Sequence, residues 1–291
     1  MRILATLVVI FASGVCSVGA ADEPLKVFIL AGQSNMVGWG DSAKLTDELQ
    51  RGSDRVLMFE NGHWQPLRPI RKAQKNQEAL GMTENTFGPE IAFGQEMARA
   101  WPDEQIGIIK FAVGGTSILT WKPDWSKEDA DRVGQGQVGS LYQKLIQKVE
   151  DARNAREIEI VGVLWLQGGG DMKNQAIAKE YLPNLRSLVA AIRKDTQCPD
   201  LPFFCGTMRR AEDPDDLSAI TPKRVDGPWP AVEFVLKAQW DAKREISHFH
   251  PVILREIEKH PMNVHYNTAG QLEVGKLFAA AYLATQRAVE E

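Results

Sequence analysis

The sequence predicts an α/β protein in which a parallel sheet is covered by helices on both faces. Short apolar runs alternate along the chain with longer segments whose apolar residues recur at helical spacing. The short runs are continuous rather than alternating, which is typical of strands buried on both faces. No low-complexity linker or internal repeat divides the 291 residues, so we predict one domain with long loops.

Each predicted element has its own signal. Leu141, Leu145 and Val149 form one apolar stripe of a helix, and residues 182–192 repeat the pattern. Pro89 suits the first turn of a helix over residues 88–100, because a missing N–H costs nothing there. A last helix is predicted over residues 269–289, and long loops over 65–85 and 120–139. The predicted strands are residues 26–31, 55–59, 106–113, 158–167 and 201–206.

The first twenty residues have the pattern of a secretory signal. Arg2 precedes an apolar run over residues 3–12, and small residues follow up to Ala20. The apolar run is well short of the roughly 20 residues that a membrane span needs. We therefore expect residues 1–20 to be removed, the domain to comprise residues 21–291, and the product to be secreted or periplasmic.

Charge and cysteine content exclude several classes of protein. The chain has 34 Lys plus Arg against 38 Asp plus Glu, a net charge of −4, which predicts no basic surface for nucleic acid or anionic membrane. After signal removal only Cys198 and Cys205 would remain, so a disulfide framework is excluded. We expect both thiols to be free, since an extended strand would separate them. The oligomeric state is left open.

The first strand ends in Gly32-Gln33-Ser34-Asn35-Met36. A serine at the carboxyl end of a strand lies at the mouth of the sheet, which suits a nucleophile that supplies its own N–H to an oxyanion hole. Taken alone, such a serine is more often a helix N-cap. Four further segments change this balance: Phe87-Gly88-Pro89-Glu90, Gly114-Gly115-Thr116-Ser117, the run from Trp165 to Asp171, and Asn263-Val264-His265-Tyr266-Asn267.

With these five segments in this order, the chain resembles the sialate O-acetylesterase-like family of the SGNH hydrolases, which includes the acetylxylan esterases of carbohydrate esterase family 6. The resemblance covers nearly the whole mature chain. It implies a three-layer α/β/α sandwich with a flavodoxin-like, five-stranded parallel sheet. It also implies hydrolysis of O-acetyl esters on carbohydrate, of the acetylxylan or sialic-acid type, without metal or organic cofactor.

The resemblance also assigns catalytic roles. Ser34 would be the nucleophile that carries the acyl group, and His265 the general base that takes its proton. The backbone N–H groups of Ser34 and Gly115 and the side-chain amide of Gln167 would bind the oxyanion. The absence of a Cβ would let the N–H of Gly115 approach the acyl oxygen.

Three further residues are predicted to contact substrate. Gln33 and Asn35 flank the nucleophile in its motif. Trp121 follows the Gly-Gly-Thr-Ser segment, and we expect it to line the pocket. The other loop tryptophans, Trp39, Trp64 and Trp125, are expected to pack loops onto the core.

The sequence departs from the family pattern at its acids. The Asp three residues before the histidine is replaced by Met262, and the Glu that often follows Gln-Gly is replaced by Gly169. Loss of the acid from a serine-protease triad lowers turnover by about 10⁴. A distant carboxylate could replace it, with Asp171 the first candidate and Glu256 and Glu258 the others.

Two alternatives to a replacement acid stay open. A Ser-His dyad could work slowly, with His265 oriented by a backbone carbonyl or by Asn263. The protein could also bind acetylated glycans without cleaving them.

Two weaker patterns, a pair of histidines and a basic loop, are more typical of surface residues than of a binding site. His248 and His250 lack a third ligand at metal-binding spacing, so we predict no metal site. The basic residues of the first long loop could favour an anionic glycan, although a solvated loop is commoner; they are Arg68, Arg71, Lys72 and Lys75.

Overall fold

The computed structural model of the chain describes residues 23–82, 84–208 and 229–290. The predicted signal peptide lies outside these residues. Ten strands are formed in the described part: β1 Leu25–Gly32, β2 Gly40–Asp41, β3 Val56–Glu60, β4 His63–Pro66, β5 Arg71–Lys72, β6 Asn85–Phe87, β7 Ile106–Ala112, β8 Ile158–Leu166, β9 Phe203–Thr207 and β10 Phe249–Ile253.

Helices connect most of these strands. In the described residues they are α1 Ser34–Val37, α2 Asp47–Arg51, α3 Lys75–Glu78, α4 Glu90–Ala100, α5 Lys127–Asp131, α6 Leu141–Ala155, α7 Gln175–Lys179, α8 Tyr181–Thr196, α9 Val232–Glu245 and α10 Thr268–Glu290. No helix among them is long and apolar enough to cross a membrane.

The central sheet has seven strands in the order β10-β9-β8-β1-β7-β3-β4. All neighbours are parallel except β3 and β4, which form an antiparallel hairpin at one edge. The predicted α/β class is therefore confirmed. Strands β2, β6 and β5 form a second, antiparallel sheet of three short strands.

All five predicted strands form, and the sheet contains two more, β4 and β10. Strands β7-β1-β8-β9-β10, numbered by their own chain order, follow the flavodoxin-like order 2-1-3-4-5. The predicted strand at residues 55–59 corresponds to β3, which pairs with β7 and begins an added hairpin. The fifth strand of the flavodoxin-like core is β10, which was not predicted.

Strand β1 explains why the core has two halves. Its side chains alternate, so that Val27 and Ile29 enter one hydrophobic cluster while Phe28 and Leu30 enter the other. The first cluster lies under α6, α8 and α9, and the second under α4 and α10. Helices thus cover both faces of the sheet. The segments that carry chemistry are left at its carboxyl edge.

The two described cysteines are free, as predicted. Cys205 is buried on β9 and Cys198 is half-buried before it. Burial raises the pKa of the Cys205 thiol, so this group is protonated at neutral pH.

Candidate active site

A cavity of about 760 Å³ opens at the carboxyl edge of the sheet. Ser34, Gly115, Gln167 and His265 all line it, although they follow four different parts of the chain. This placement agrees with the general position of ligand sites in parallel α/β sheets.

The turn that carries Ser34 is fixed by a close contact between the ends of the paired strands β1 and β8. Gly32 has φ +143°, and a Cβ built on it would lie 2.3 Å from the carbonyl oxygen of Leu166. The next N–H, that of Gln33, donates to the same carbonyl at 2.9 Å. Ser34 then begins α1, so its own N–H has no acceptor within the helix. Only glycine allows this approach, and it leaves the serine at the mouth of the sheet.

The loop after β7 lies against Ser34. A Cβ built on Gly114 would be 3.7 Å from Cβ of Ser34. Gly115 has φ +72°, and a Cβ there would meet no atom within 4 Å. The left-handed backbone is therefore one reason for glycine at position 115, and the approach of its N–H to an acyl oxygen stays a prediction.

Asn35 ties the nucleophile turn to the histidine loop. Its Oδ1 accepts from the N–H of Tyr266 at 3.0 Å, and its Nδ2 donates to the carbonyl of Val264 at 3.4 Å. These two residues flank His265. Asn35 also lines the cavity, so it has a positioning contact here while its substrate-binding role stays a prediction.

His265 lies on the returning arm of a short hairpin. The N–H of His260 donates to the carbonyl of His265 at 3.0 Å, and a turn over residues 260–263 closes the hairpin. Met262 has φ +52° at this turn and its side chain is fully exposed. The position that holds Asp in the family therefore points to solvent here.

Asn263 takes the place of an acid beside the imidazole. Its Oδ1 lies 2.7 Å from Nδ1 of His265. The same oxygen accepts from the backbone N–H groups of Val264 at 2.8 Å and His265 at 3.2 Å, which identifies it as the amide oxygen. Nδ1 must therefore donate, and in the neutral ring Nε2 carries the lone pair. That is the tautomer a general base requires.

One face of the imidazole is covered by Trp39. The two rings stack with centroids 3.8 Å apart and planes 5° apart. His260, which is buried, holds this tryptophan through a contact of 2.8 Å between its Nε2 and the carbonyl of Trp39. Burial, and secondarily the neighbouring His260, lower the pKa of His265 to about 4. The ring is therefore neutral at neutral pH.

Asp171 does not supply the missing acid. It is fully buried, and its carboxylate accepts from Ser117 Oγ at 2.5 Å, from the N–H of Ile118 at 3.1 Å and from Gln167 Nε2 at 2.6 Å. Burial raises its pKa to about 6, against the opposing effect of these hydrogen bonds. Asp171 joins the loops after β7 and β8 instead of orienting His265.

The two other candidate acids are also placed elsewhere. Glu258 accepts a hydrogen bond from the side-chain amide of Asn267. Glu256 is exposed and lies 3.3 Å from the guanidinium of Arg255. The imidazole of His265 has Asn263 as its hydrogen-bond partner.

Gln167 has its amide already engaged. Its Nε2 donates to the carbonyl of Thr116 at 2.9 Å as well as to Asp171, and its Oε1 accepts from the hydroxyl of Tyr181 at 3.0 Å. Both N–H groups thus have protein acceptors. The oxyanion role of Gln167 stays a prediction that requires one of these bonds to be exchanged.

The other two predicted substrate contacts have different outcomes. Gln33 lines the cavity, and its Oε1 accepts from the N–H groups of Gly168 at 3.0 Å and Gly170 at 3.3 Å, which holds the loop after β8. Its contact with substrate stays a prediction. Trp121 is fully buried and packs edge-on against Trp165 at 5.1 Å, so its predicted place in the pocket is wrong and it belongs to the core. No motif in the sequence marks Trp39, which does line the cavity.

The histidine pair at the start of β10, with His248 in the preceding turn and His250 on the strand, does not form a metal site. Nε2 of His248 lies 3.6 Å from a carboxylate oxygen of Asp200, and His250 stacks on Phe204 with centroids 4.9 Å apart. In the part of the chain that the structure describes, no three His, Cys, Asp or Glu residues form a candidate metal site.

A parallel α/β sheet that brings a serine and a neutral histidine to one cavity at its carboxyl edge has the architecture of a serine hydrolase. A family model described as carbohydrate esterase, sialic acid-specific acetylesterase, matches residues 24–284. The chain belongs to this family. The resemblance found in the sequence motifs is thus confirmed, and carbohydrate esterase chemistry is the activity that family membership supports.

Individual relatives agree with this assignment. A probable carbohydrate esterase of Arabidopsis thaliana is 26% identical over 270 residues, which are 89% of this chain and 91% of the relative. A solved structure from Arabidopsis thaliana has a TM-score of 0.65 at 22% identity, covering 90% of this chain and 98% of the other. The structure of NanS has a TM-score of 0.61 at 17% identity, covering 91% and 98%. These two structures support the fold.

Proposed function

We propose that the protein is a serine esterase that removes O-acetyl groups from carbohydrate. The observation that carries this proposal is that Asn35 donates a hydrogen bond to Val264 and accepts one from Tyr266, the two neighbours of His265. They connect the residue next to Ser34 to the loop of the histidine, so that nucleophile and base share one cavity. Asn263 completes the arrangement as a neutral third member, as in the Cys-His-Asn proteases.

The reaction follows from these positions. Nε2 of His265 takes the proton of the Ser34 hydroxyl as Oγ attacks the acetyl carbon. The N–H groups of Ser34 and Gly115 stabilise the negative oxygen of the tetrahedral intermediate. The bond between the acetyl carbon and the sugar oxygen then breaks, and His265 returns the proton to that oxygen. Water, activated in the same way, releases acetate and regenerates the Ser34 hydroxyl.

The cavity lining favours a sugar that carries a negative charge. Arg71, Lys173 and Lys259 contribute to its wall, whereas no Asp or Glu lines it among the described residues. Seven side-chain amides complete the polar surface: Gln33, Asn35, Gln74, Asn76, Gln77, Gln167 and Gln239. Of the two substrate types that the sequence suggested, this lining suits a carboxylate-bearing, sialic-acid-type sugar better than neutral acetylxylan.

Hydrolysis of an aryl acetate, acetylated xylan and O-acetylated sialic acid by the wild type and by Ser34→Ala tests the proposal. We expect the substitution to reduce turnover to the background rate, because no other group carries the acyl intermediate. Equal rates from both proteins would overturn the esterase proposal. In that case binding of the acetylated glycan by both proteins would support the alternative, a carbohydrate-binding protein on an esterase scaffold.

The proposal includes export. Residues 1–20 are expected to be removed during secretion, leaving a mature chain that begins at Ala21. Mass spectrometry of the protein expressed from its full coding sequence checks the cleavage. A chain that retains Met1 in the cytoplasm would contradict it.

A further inference from the structure

A buried ion pair lies directly beneath the turn that carries Ser34. Nζ of Lys110 on β7 is 2.6 Å from Oε2 of Glu90 at the start of α4, and the two side chains are 15% and 6% exposed. The ammonium group also donates to the carbonyl of Val37 at 2.8 Å. The other carboxylate oxygen of Glu90 accepts from the N–H of Gly88 at 2.9 Å.

Stability alone gives little reason for such a pair. Removing two charges from water is costly, and well-packed apolar side chains of similar size often stabilise a fold equally well or better. Burial lowers the pKa of Lys110, and the charge of Glu90 acts in the opposite direction. A role that depends on the direction of the hydrogen bonds explains the pair better than its contribution to folding.

The position of Val37 supplies that role. Helix α1 is a single turn from Ser34 to Val37, which is too short to be stable by itself. The carbonyl of Val37, at the end of the turn, has no acceptor role inside the helix. Lys110 occupies it with a charge-assisted hydrogen bond, and Asn35 in the middle of the turn holds the histidine loop. Any tilt of this turn would move both Ser34 and His265.

We propose that Lys110 and Glu90 are positioning residues for catalysis: their ion pair fixes the C-terminal end of α1, and thereby the hydroxyl and N–H of Ser34 relative to His265. This proposal rests on Ser34 being the nucleophile. Neither residue touches the reacting atoms, so its effect should appear in the catalytic step rather than in substrate binding.

The test compares Lys110→Met with the matched control Lys148→Met. Lys148 is also largely buried and paired, with Nζ 2.7 Å from Glu60, and it donates to the backbone carbonyl of Lys110 rather than to α1. We expect Lys110→Met to lower kcat for an aryl acetate by about 10- to 100-fold, since small misplacements have effects of that order, with KM changed by less than about twofold. Lys148→Met should leave kcat within about twofold.

Two further variants separate positioning from folding. Lys110→Arg keeps the charge and should restore most of kcat. The double variant Glu90→Leu with Lys110→Met removes both charges of the pair and leaves only Arg71, an exposed neighbour of Glu90, without its carboxylate. It should therefore melt near the wild-type temperature and still show the lower kcat. A folded double variant with wild-type kcat, or a loss of kcat in Lys110→Met that only follows the folded fraction, would overturn the proposal.

Hydrogen exchange provides a readout that does not depend on activity. The amides of residues 36–38 should exchange at least about tenfold faster in Lys110→Met than in the wild type. Their exchange rates in Lys148→Met should equal those of the wild type. If the wild type and Ser34→Ala hydrolyse esters equally, the esterase proposal fails separately. Unchanged exchange in Lys110→Met would then overturn the claim that the ion pair fixes α1.

Discussion

At the scale of single residues, Asn263 decides which nitrogen of His265 carries the proton of the neutral ring. Its oxygen receives the Nδ1 proton and so places the lone pair on Nε2. An amide does this without the negative charge that would stabilise the imidazolium formed during the reaction. Asn263 therefore orients the imidazole of His265 but contributes little to its basicity.

Replacing Asn263 by Asp should convert the orienting contact into a charged one. The carboxylate would keep the acceptor for Nδ1 and the two backbone N–H groups while favouring the imidazolium. We expect kcat for an aryl acetate to rise by roughly tenfold or more, within the limit of about 10⁴ that a triad acid provides. Asn263→Ala is the control and should lower kcat. An Asp variant with unchanged kcat would show that Asn263 does not act on the base.

The pH dependence should reflect the lowered pKa of His265. In the folded protein the ring is protonated only near pH 4, whereas an ordinary histidine titrates near 6.5. We therefore expect kcat/KM to persist as pH falls through 6.5 and to be lost around pH 4, with parallel circular dichroism to verify folding. In Asn263→Asp the midpoint should move upward. A wild-type midpoint near 6.5 would contradict the buried environment of the ring.

The same shift links His265 to stability. Its folded pKa lies below that of the unfolded chain, so between about pH 6.5 and 4 the unfolded state binds more protons. The stability associated with the neutral, stacked ring is complete above pH 6.5. It is lost as pH falls toward 4.

The motifs were sufficient to predict which residues form much of the candidate site. They were not sufficient to predict which side chains contact one another there. Ser34 and His265 could be proposed because the segment of Ser34 follows the first strand and that of His265 precedes the last helix, in the family order. Asn263 was one of several alternatives, since a two-residue spacing does not show which side chain turns toward the ring. Trp121 was expected in the pocket and Trp39 in the packing of a loop, but the structure has Trp121 in the core and Trp39 against His265. Both lie in predicted loops, and only the packing of the folded chain distinguishes a core indole from one in the site.

At the scale of elements, the close contact of β1 with β8 at Gly32 sets the position of the turn that carries Ser34. Its φ of +143° and the contact of 2.3 Å that a Cβ would make with the Leu166 carbonyl are both unfavourable to any other residue. The strand pair therefore depends on one missing methyl group.

Gly32→Ala should be strongly destabilising. We expect a loss of about 3 kcal/mol or more in the free energy of unfolding, measured by chemical denaturation, because a backbone atom blocks the methyl group. Gly62→Ala is the matched control: its φ is +83°, but a Cβ there meets nothing within 4 Å, so only the backbone cost of about 1–2 kcal/mol applies. Equal losses of unfolding free energy in the two variants would show that the contact between β1 and β8 at Gly32 is not tight.

The elements themselves were largely predictable, and the exceptions have local causes. Strands β1, β7, β8 and β9 are continuous apolar runs. Strand β10 was missed because it reads Phe-His-Pro-Val-Ile, in which Pro251 removes a hydrogen-bond donor, and an edge strand tolerates this. Strand β3 was predicted correctly, but nothing in a run of five residues shows that it belongs to an added hairpin.

At the scale of the whole molecule, charge is unevenly distributed. The chain carries a net charge of −4, yet its main cavity is lined by Arg71, Lys173 and Lys259 without a described acid. An anionic substrate is therefore attracted locally by a protein that is negative overall. The composition alone could not reveal this, because it averages over the surface.

This distribution predicts a salt effect confined to charged substrates. The KM for an O-acetylated sialic acid should rise by roughly three- to tenfold in Lys173→Gln, and in the wild type it should rise with ionic strength. The KM for a neutral aryl acetate should stay constant in both experiments. Lys237→Gln, which removes an exposed lysine paired with Asp241 outside the cavity, is the control. A KM that is insensitive to salt for both substrates would contradict an anionic substrate.

The stack of Trp39 on His265 also gives the molecule an optical consequence. An imidazolium quenches the fluorescence of an indole in contact with it, whereas a neutral imidazole does so weakly. At a ring separation of 3.8 Å, the emission of Trp39 should therefore follow the proton on His265. The difference in emission between the wild type and Trp39→Phe, recorded against pH, makes the charge state of the base directly visible without substrate.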